Sequence, residues 1–204
     1  MQLSLSELKD LIYNAGLGAE LTVGACEDFS FSVAVLESLS LNAASEFLYA
    51  IECDREPTQE FIITDNKVEI TSGRALFEGI YAIDLFMAEK IDKIVFNIFD
   101  CPMLLIGLGY NYDNSNFVLL SSSKLIGSIN SGEIFWDNNF VTRNCNVTLL
   151  RSQVKASSNY KQKDRVNLKH SVIKKLKHLS SKMLVPESKE SREKGAGAGT
   201  IDND

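Results

Sequence analysis

Lys93-Ile94-Val95-Phe96-Asn97-Ile98-Phe99-Asp100-Cys101-Pro102 is the stretch that decides the fold class. Its first seven residues are rich in β-branched and aromatic side chains, which fit a pleated surface better than a helix. The run predicts a central strand, and Pro102 interrupts it. Asp100-Cys101-Pro102 therefore sits just past a central strand, where ligand crevices of α/β sheets open. Cys101 in that place offers a nucleophile, but no histidine is near it in sequence. A buried, inert thiol is the expected reading. The next run, Met103-Leu104-Leu105-Ile106-Gly107, fits a strand or a helix, because a short apolar run does not decide between them.

Upstream, the pattern is helical. Ser4-Leu5-Ser6-Glu7 is a capping box, in which Ser4 and Glu7 satisfy each other's backbone donors. Leu8, Leu11, Ile12 and Ala15 follow at helical spacing, with Gly16 as the expected stop. A second helix is predicted from about Thr22 to Leu36 and a third from Asn42 to Cys53. After Pro57 the period changes. Phe61-Ile62-Ile63-Thr64, a turn at Asp65-Asn66-Lys67, and Val68-Glu69-Ile70 read as a hairpin. Leu76 to Ala88 reads as a helix.

Downstream come short strands and polar turns: Phe117–Leu120, Glu133–Trp136 and Val147–Leu150, with Asn138-Asn139 as the expected tight turn. These predict antiparallel pairing. Ser157-Ser158-Asn159 marks a linker. Val166 to Leu184 closes as an amphipathic helix with Val172, Ile173, Leu176, Leu179 and Met183 on one side. The fold class is α+β: N-terminal helices, a mixed or antiparallel sheet, and a C-terminal amphipathic helix followed by a Gly-rich tail. Residues 1–185 are expected to form one domain. Residues 186–204 are the tail, expected to pack on it.

Charge narrows the function. The 204 residues carry a formal net charge of -6, which argues against nucleic acid as a partner. The charge is uneven: between residues 160 and 184, eight lysines and arginines stand against Asp164 alone. A basic helix beside an acidic body can simply dock on it. His170 and His178 on that helix read as solvated. Cys26, Cys53, Cys101 and Cys145 are isolated, which fits neither a zinc site nor a disulfide framework. No apolar run reaches membrane-spanning length and the N-terminus lacks a signal-peptide pattern, so the expected location is cytoplasmic. Phosphate-loop, Gly-x-Ser-x-Gly and His-Glu-x-x-His signatures are absent.

The tail carries the densest site-type chemistry. Gly195, Gly197 and Gly199 alternate with Ala196 and Ala198, a pattern able to point successive N–H groups into an anion-binding nest. Arg192 stands before it with a fork that suits carboxylate or phosphate. Ser188 and Ser191 add hydroxyls. Asp202 and Asp204 crowd with the terminal carboxylate, an arrangement that raises a pKa or recruits a hard cation such as magnesium or calcium. Three readings stand side by side: a site, a frayed polar end, and a small-residue segment lying flat on a sheet. Glu27 and Asp28 are adjacent acids near a helix start, which the dipole favours at the surface. One of them can turn toward the core and meet Arg192 or a ligand.

Leu3-Ser4-Leu5-Ser6-Glu7, Gly24-Ala25-Cys26-Glu27-Asp28 and the ending Pro186-x-Ser188-x-x-Ser191-Arg192-x-x-Gly195-Ala196-Gly197-Ala198-Gly199-x-x-Asp202-Asn203-Asp204 together resemble an uncharacterised bacterial domain-of-unknown-function family. Val23 and Asp28 depart from the tryptophan and second glutamate expected there. The resemblance implies that the tail belongs to the domain. It carries no activity, cofactor or metal.

Two functions are therefore expected in competition. One is binding or transformation of a small anionic ligand. Ser188, Ser191, Arg192, Gly195, Gly197 and Gly199 would hold the anion, while Asp202, Asp204, Glu27 and Asp28 would supply acid/base groups or hold a cation. The other is a non-enzymatic interaction or assembly module whose tail packs against a partner subunit in a homo-oligomer.

Overall fold

The computed structural model describes residues 2–54, 56, 61–88, 91–113, 115–152 and 160–183. The tail from residue 184 and the segment 153–159, which contains the expected linker, lie outside the described residues.

The first helix starts where the capping box puts it. β1 (Gln2–Ser4) leads into α1 (Leu5–Gly18); the Ser4 amide donates to Glu7 Oε2 at 2.7 Å and the Glu7 amide donates to Ser4 Oγ at 3.2 Å. Gly16 does not stop this helix. It is buried inside it, and a Cβ there would stand 2.8 Å from Cys26 Sγ, so the glycine serves close packing rather than termination. The turn comes later, with Glu20 at φ 64°. α2 (Val23–Ser38) begins at the Thr22 cap, and α3 (Ala43–Glu52) follows Asn42.

β2 (Phe61–Thr64) and β3 (Lys67–Gly73) form the expected hairpin. A π-helical turn (Ala75–Gly79) and α4 (Ile80–Met87) cross over to β4 (Lys93–Phe99), which lies parallel to β3. β4 is interior, as its composition predicts. The ambiguous run after it is helical: α5 spans Pro102–Tyr110 with proline in its first turn, where a missing N–H costs nothing. β5 (Phe117–Ser121), β6 (Lys124–Asn130), β7 (Glu133–Trp136) and β8 (Cys145–Arg151) complete one sheet of order β2-β3-β4-β8-β5-β6-β7. Every pairing in it is antiparallel except β3 with β4.

β9 (Arg165–Asn167) pairs antiparallel with β1, and α6 (His170–Ser181) follows. The last helix therefore begins later than the apolar period suggests. Arg165–Asn167 is spent on a two-stranded clasp that ties both ends of the fold together, with Leu3 and Val166 buried in it.

One sheet face is the core floor. Val68, Ile70, Ile94, Phe96, Val147 and Leu149 are fully buried on it. α4 and α5 lie against the sheet, α2 and α3 pack on α5, and α1 and α6 form the outermost layer. Val172, Ile173 and Leu176 of α6 are buried, while its lysines face solvent and Lys175 reaches Glu52 at 2.6 Å. His170 and His178 are exposed. The basic helix thus docks on the acidic body along an apolar stripe.

Candidate functional site

Parallel strands β3 and β4 end side by side, and a buried carboxylate ties their exits. Asp100 is fully buried, and its Oδ1 accepts from the Ala75 amide at 2.8 Å and the Cys101 amide at 2.7 Å. Nearby, the Arg74 amide donates to Glu78 Oε2 at 2.8 Å, and an Arg74 guanidinium nitrogen donates to the Ala50 carbonyl at 3.1 Å. This polar knot fixes where α5 starts.

Cys101 sits in the knot. Its thiol donates to the Glu46 carbonyl at 3.4 Å. Burial first, then the nearby Asp100 and Glu46 carboxylates, push its pKa far up. A buried thiol whose pKa is pushed up is a poor nucleophile, which fits the inert reading of Cys101.

A cleft of about 360 Å³ opens beside the knot. Leu41, Asn42 and Glu46 come from the α2–α3 corner, Pro102 and Met103 from the start of α5, Trp136 from the end of β7, and residues 138 and 140–143 from the loop after it. That loop is held at both ends. Asp137 Oδ2 pairs with Lys124 at 2.7 Å, the Phe140 amide donates to the Asp137 carbonyl at 2.8 Å, and the Asn144 amide donates to the Asp100 carbonyl at 3.3 Å. Asn138-Asn139 is a turn, as expected, and it shapes the cleft wall.

Arg143 is the loop's charged group. Its Nε donates to Glu46 Oε2 at 3.0 Å and a terminal nitrogen donates to Glu46 Oε1 at 2.6 Å. The guanidinium lies 4.1 Å over the Tyr49 ring, and Tyr49 Oη accepts from Asn144 at 2.8 Å. Hydrogen bonding to Glu46 raises the Arg143 pKa, so the fork is locked in its charged form. Trp136 and Phe140 meet edge to face at 5.9 Å and give the cleft an aromatic wall. Val141 stands at the rim, 85% exposed.

Two helices begin at this cleft. α3 starts after Asn42, which is left-handed at φ 54° and makes no side-chain cap; α5 starts after Cys101, also without one. One α3 donor is taken, since the Ala44 amide donates to Glu37 Oε1 at 2.8 Å. Both helix dipoles present their positive ends here.

Glu27 and Asp28 lie elsewhere. Glu27 is exposed and Asp28 is half-buried on α2. The Asp28 carbonyl accepts from Asn111, just past the C-terminal end of α5. They are thus separated from the cleft by the length of α5, about 13 Å for its nine residues. There Asp28 meets Asp84, whose carboxylate accepts from the Tyr112 hydroxyl. Burial first, then Asp84 and Glu27, raise the Asp28 pKa; burial and the bond to Asp84 raise that of Tyr112.

Ser188, Ser191, Arg192, Gly195, Gly197, Gly199, Asp202 and Asp204 lie outside the described residues. Among the described residues, no group of three or more His, Cys, Asp and Glu side chains is placed to hold a metal ion, and no helix is long and apolar enough to cross a membrane. Sequence reasoning pointed at Asp100-Cys101-Pro102 but did not single out Asn42, Glu46, Trp136 or Arg143. Trp136 is the sole tryptophan, which was the one signal available for it.

A family model described as "Protein of unknown function (DUF3726)" matches residues 3–75. That range holds Leu3–Glu7 and Gly24–Asp28 and runs through α1, α2, α3 and the β2–β3 hairpin. It supports the expected likeness to an uncharacterised family over this part of the chain, and the ending from Pro186 falls outside it. Comparison with curated proteins gives no match.

Proposed function

We propose that this protein binds a small amphipathic anion in the cleft at the carboxyl end of β4. The carrying observation is convergence: two helix N-termini whose own N-cap side chains make no cap bond and the clamped Arg143 guanidinium face one cavity. The Glu46 pair uses two of the five guanidinium N–H groups, and the planar fork suits a carboxylate or phosphate head. Trp136, Phe140 and Met103 offer the apolar body of such a ligand its wall. A cleft of this size takes a metabolite rather than a polymer.

The tail enters this reading as a second donor set. Arg192 and the amides of Gly195, Gly197 and Gly199 would add to the anion's partners, with Ser188 and Ser191 beside them. Asp202 and Asp204 would act only if the ligand is also transformed, whereas Glu27 and Asp28, at the far end of α5, would not reach a ligand in the cleft.

Calorimetric titration with inorganic phosphate, aliphatic carboxylates and aryl carboxylates tests the cleft. An aryl carboxylate is expected to bind best. Arg143→Ala should weaken it ten- to hundredfold, the worth of a charged hydrogen bond in a half-buried place. Deleting residues 195–204 in the same titration tests the tail. Equal affinity of Arg143→Ala and the parent for every anion would remove the cleft from consideration.

A further inference from the structure

β2 has the composition of an interior strand and the position of an edge strand. It ends the sheet order, so no strand lies beyond it among the described residues. Edge strands normally carry charge, proline or a bulge that discourages pairing. Phe61-Ile62-Ile63-Thr64 carries none of these, and no register shift interrupts its pairing with β3. Its side chains are apolar on both faces. Phe61 and Ile63 lie opposite the buried Ile70 and Val68 and so share the helix-covered face; Ile62 lies opposite Glu69 on the other. Ile62 is nevertheless 60% exposed and Ile63 59%.

The patch continues onto α4. Tyr81, 47% exposed, meets the Phe61 ring edge-on at 5.2 Å, and Phe77, 44% exposed, lies one turn earlier under Arg74. Counted over both faces of β2 and the adjoining turns, these side chains expose roughly 400 Å² of residue surface.

We propose that β2 pairs with β2 of a second copy of this chain, antiparallel across a two-fold axis, making one continuous sheet. Register follows from parity. The two-residue turn at Asp65-Asn66 closes on Thr64 and Lys67, so hydrogen bonding to β3 falls on Thr64 and Ile62. The outward N–H and C=O groups then belong to Phe61 and Ile63. Antiparallel pairing must set outward residues against outward residues. The register with greatest apolar overlap puts Phe61 against the second copy's Ile63, Ile63 against its Phe61, and Ile62 against its own mate on the axis. The strand is thus complementary to itself, as an isologous interface requires. It holds no charged side chain, so two copies of the same net charge meet without a like-charge contact in the ladder. The patch is about half the area that each partner buries in a standard stable interface, so the dimer is expected to be weak.

The test uses the full chain. Sedimentation velocity at about 100 μM, where a micromolar dimer is mostly assembled, should give the dimer mass, and Ile62→Lys should give the monomer mass. Ile62 is exposed, so the substitution leaves the core untouched. Two residues facing each other on the axis in a non-hydrogen-bonded pair stand close enough for a disulfide. Ile62→Cys should therefore give a covalent dimer under mild oxidation, above the background of the parent's own cysteines, while Thr71→Cys should not. A monomer at that concentration, or equal cross-linking at both positions, overturns the proposal. So does a dimer that Ile62→Lys leaves intact.

Discussion

Gly18→Ala is the sharpest test of how the outermost layer is built. Gly18 closes α1 where α6 crosses it, and a Cβ there would stand 1.8 Å from the Leu179 carbonyl oxygen and 2.6 Å from its carbon. Both atoms are backbone, so no rotamer change relieves the overlap. Restoring an ordinary contact of about 3.4 Å means moving α6 away by about 1.6 Å, and a gap of even 1 Å forfeits up to half of a packing contact. Val172, Ile173 and Leu176 seat α6, and each is worth about 2 kcal/mol when fully buried. Losing half of that is about 3 kcal/mol. Alanine returns up to about 1 kcal/mol as a better helix former, leaving a net loss of about 2 kcal/mol. For a chain of this size the midpoint should fall by about 4–8 °C. Urea denaturation measures the loss, and hydrogen exchange should show it concentrated in α6. Gly24→Ala is the matched control: its Cβ would meet nothing within 4 Å, so it should be neutral or stabilising. If the two alanines behaved alike, α6 would not sit on Gly18 and the packing account of the C-terminal helix would fail.

Two further outcomes follow from buried carboxylates. Glu37 is buried and accepts from the Ala44 amide, but burial outweighs that bond and holds its pKa above the ordinary 4.5. A raised acid pKa contributes stability that is complete below the unfolded value and is lost as pH rises through the folded one. Glu37→Gln keeps a carbonyl acceptor for Ala44 and removes the charge. Its stability relative to the parent, measured by urea denaturation, should improve between pH 4 and 7; an advantage that grew toward acid would refute this. Asp100→Ala strands the Ala75 and Cys101 amides in the core and should cost about 3 kcal/mol, whereas Asp100→Asn, which keeps an acceptor, should recover more than half. Denaturation midpoints decide it, and an alanine variant as stable as the parent would mean that Asp100 does not tie the strand exits.

What was legible in the chain was what is decided locally. The Ser4–Glu7 box fixes the start of α1 from four residues, and Lys93–Phe99 declares an interior strand from its own composition. β6 was missed because its signals are unusual. It is bounded by Ser122-Ser123, both at positive φ, and by Ser131-Gly132, rather than by Asn-Gly. β9 was hidden because its partner is β1, at the far end of the chain. The cleft was half legible. Asp100-Cys101-Pro102 marks it, since ligands of α/β sheets sit beyond strand C-termini. The rest is built from long-range pairs such as Glu46 with Arg143, ninety-seven residues apart, which no local pattern announces.

The two candidate groupings sort by charge along one helix. α5 starts at the cleft and ends beside Asp28, Asp84 and Tyr112. Its dipole is positive at the Arg143 end, where Asp100 and Glu46 offset part of that charge, and negative at the acidic end, where Asp28 and Asp84 add to it. Burial first, then the neighbouring Asp84 and Glu27, raise the Asp28 pKa. An anion arriving at the acidic end meets carboxylates on α2 and α4 as well as helix carbonyls, and is repelled. At the other end it meets the positive ends of two helix dipoles, though Glu37 already takes the Ala44 amide and Asp100 the Cys101 amide, and a guanidinium paired with Glu46. The proposed anionic ligand is thus disfavoured at the acidic end of α5, which is why the proposal places it in the cleft. Any acid chemistry of Glu27 and Asp28 then needs a different, cationic or neutral, molecule.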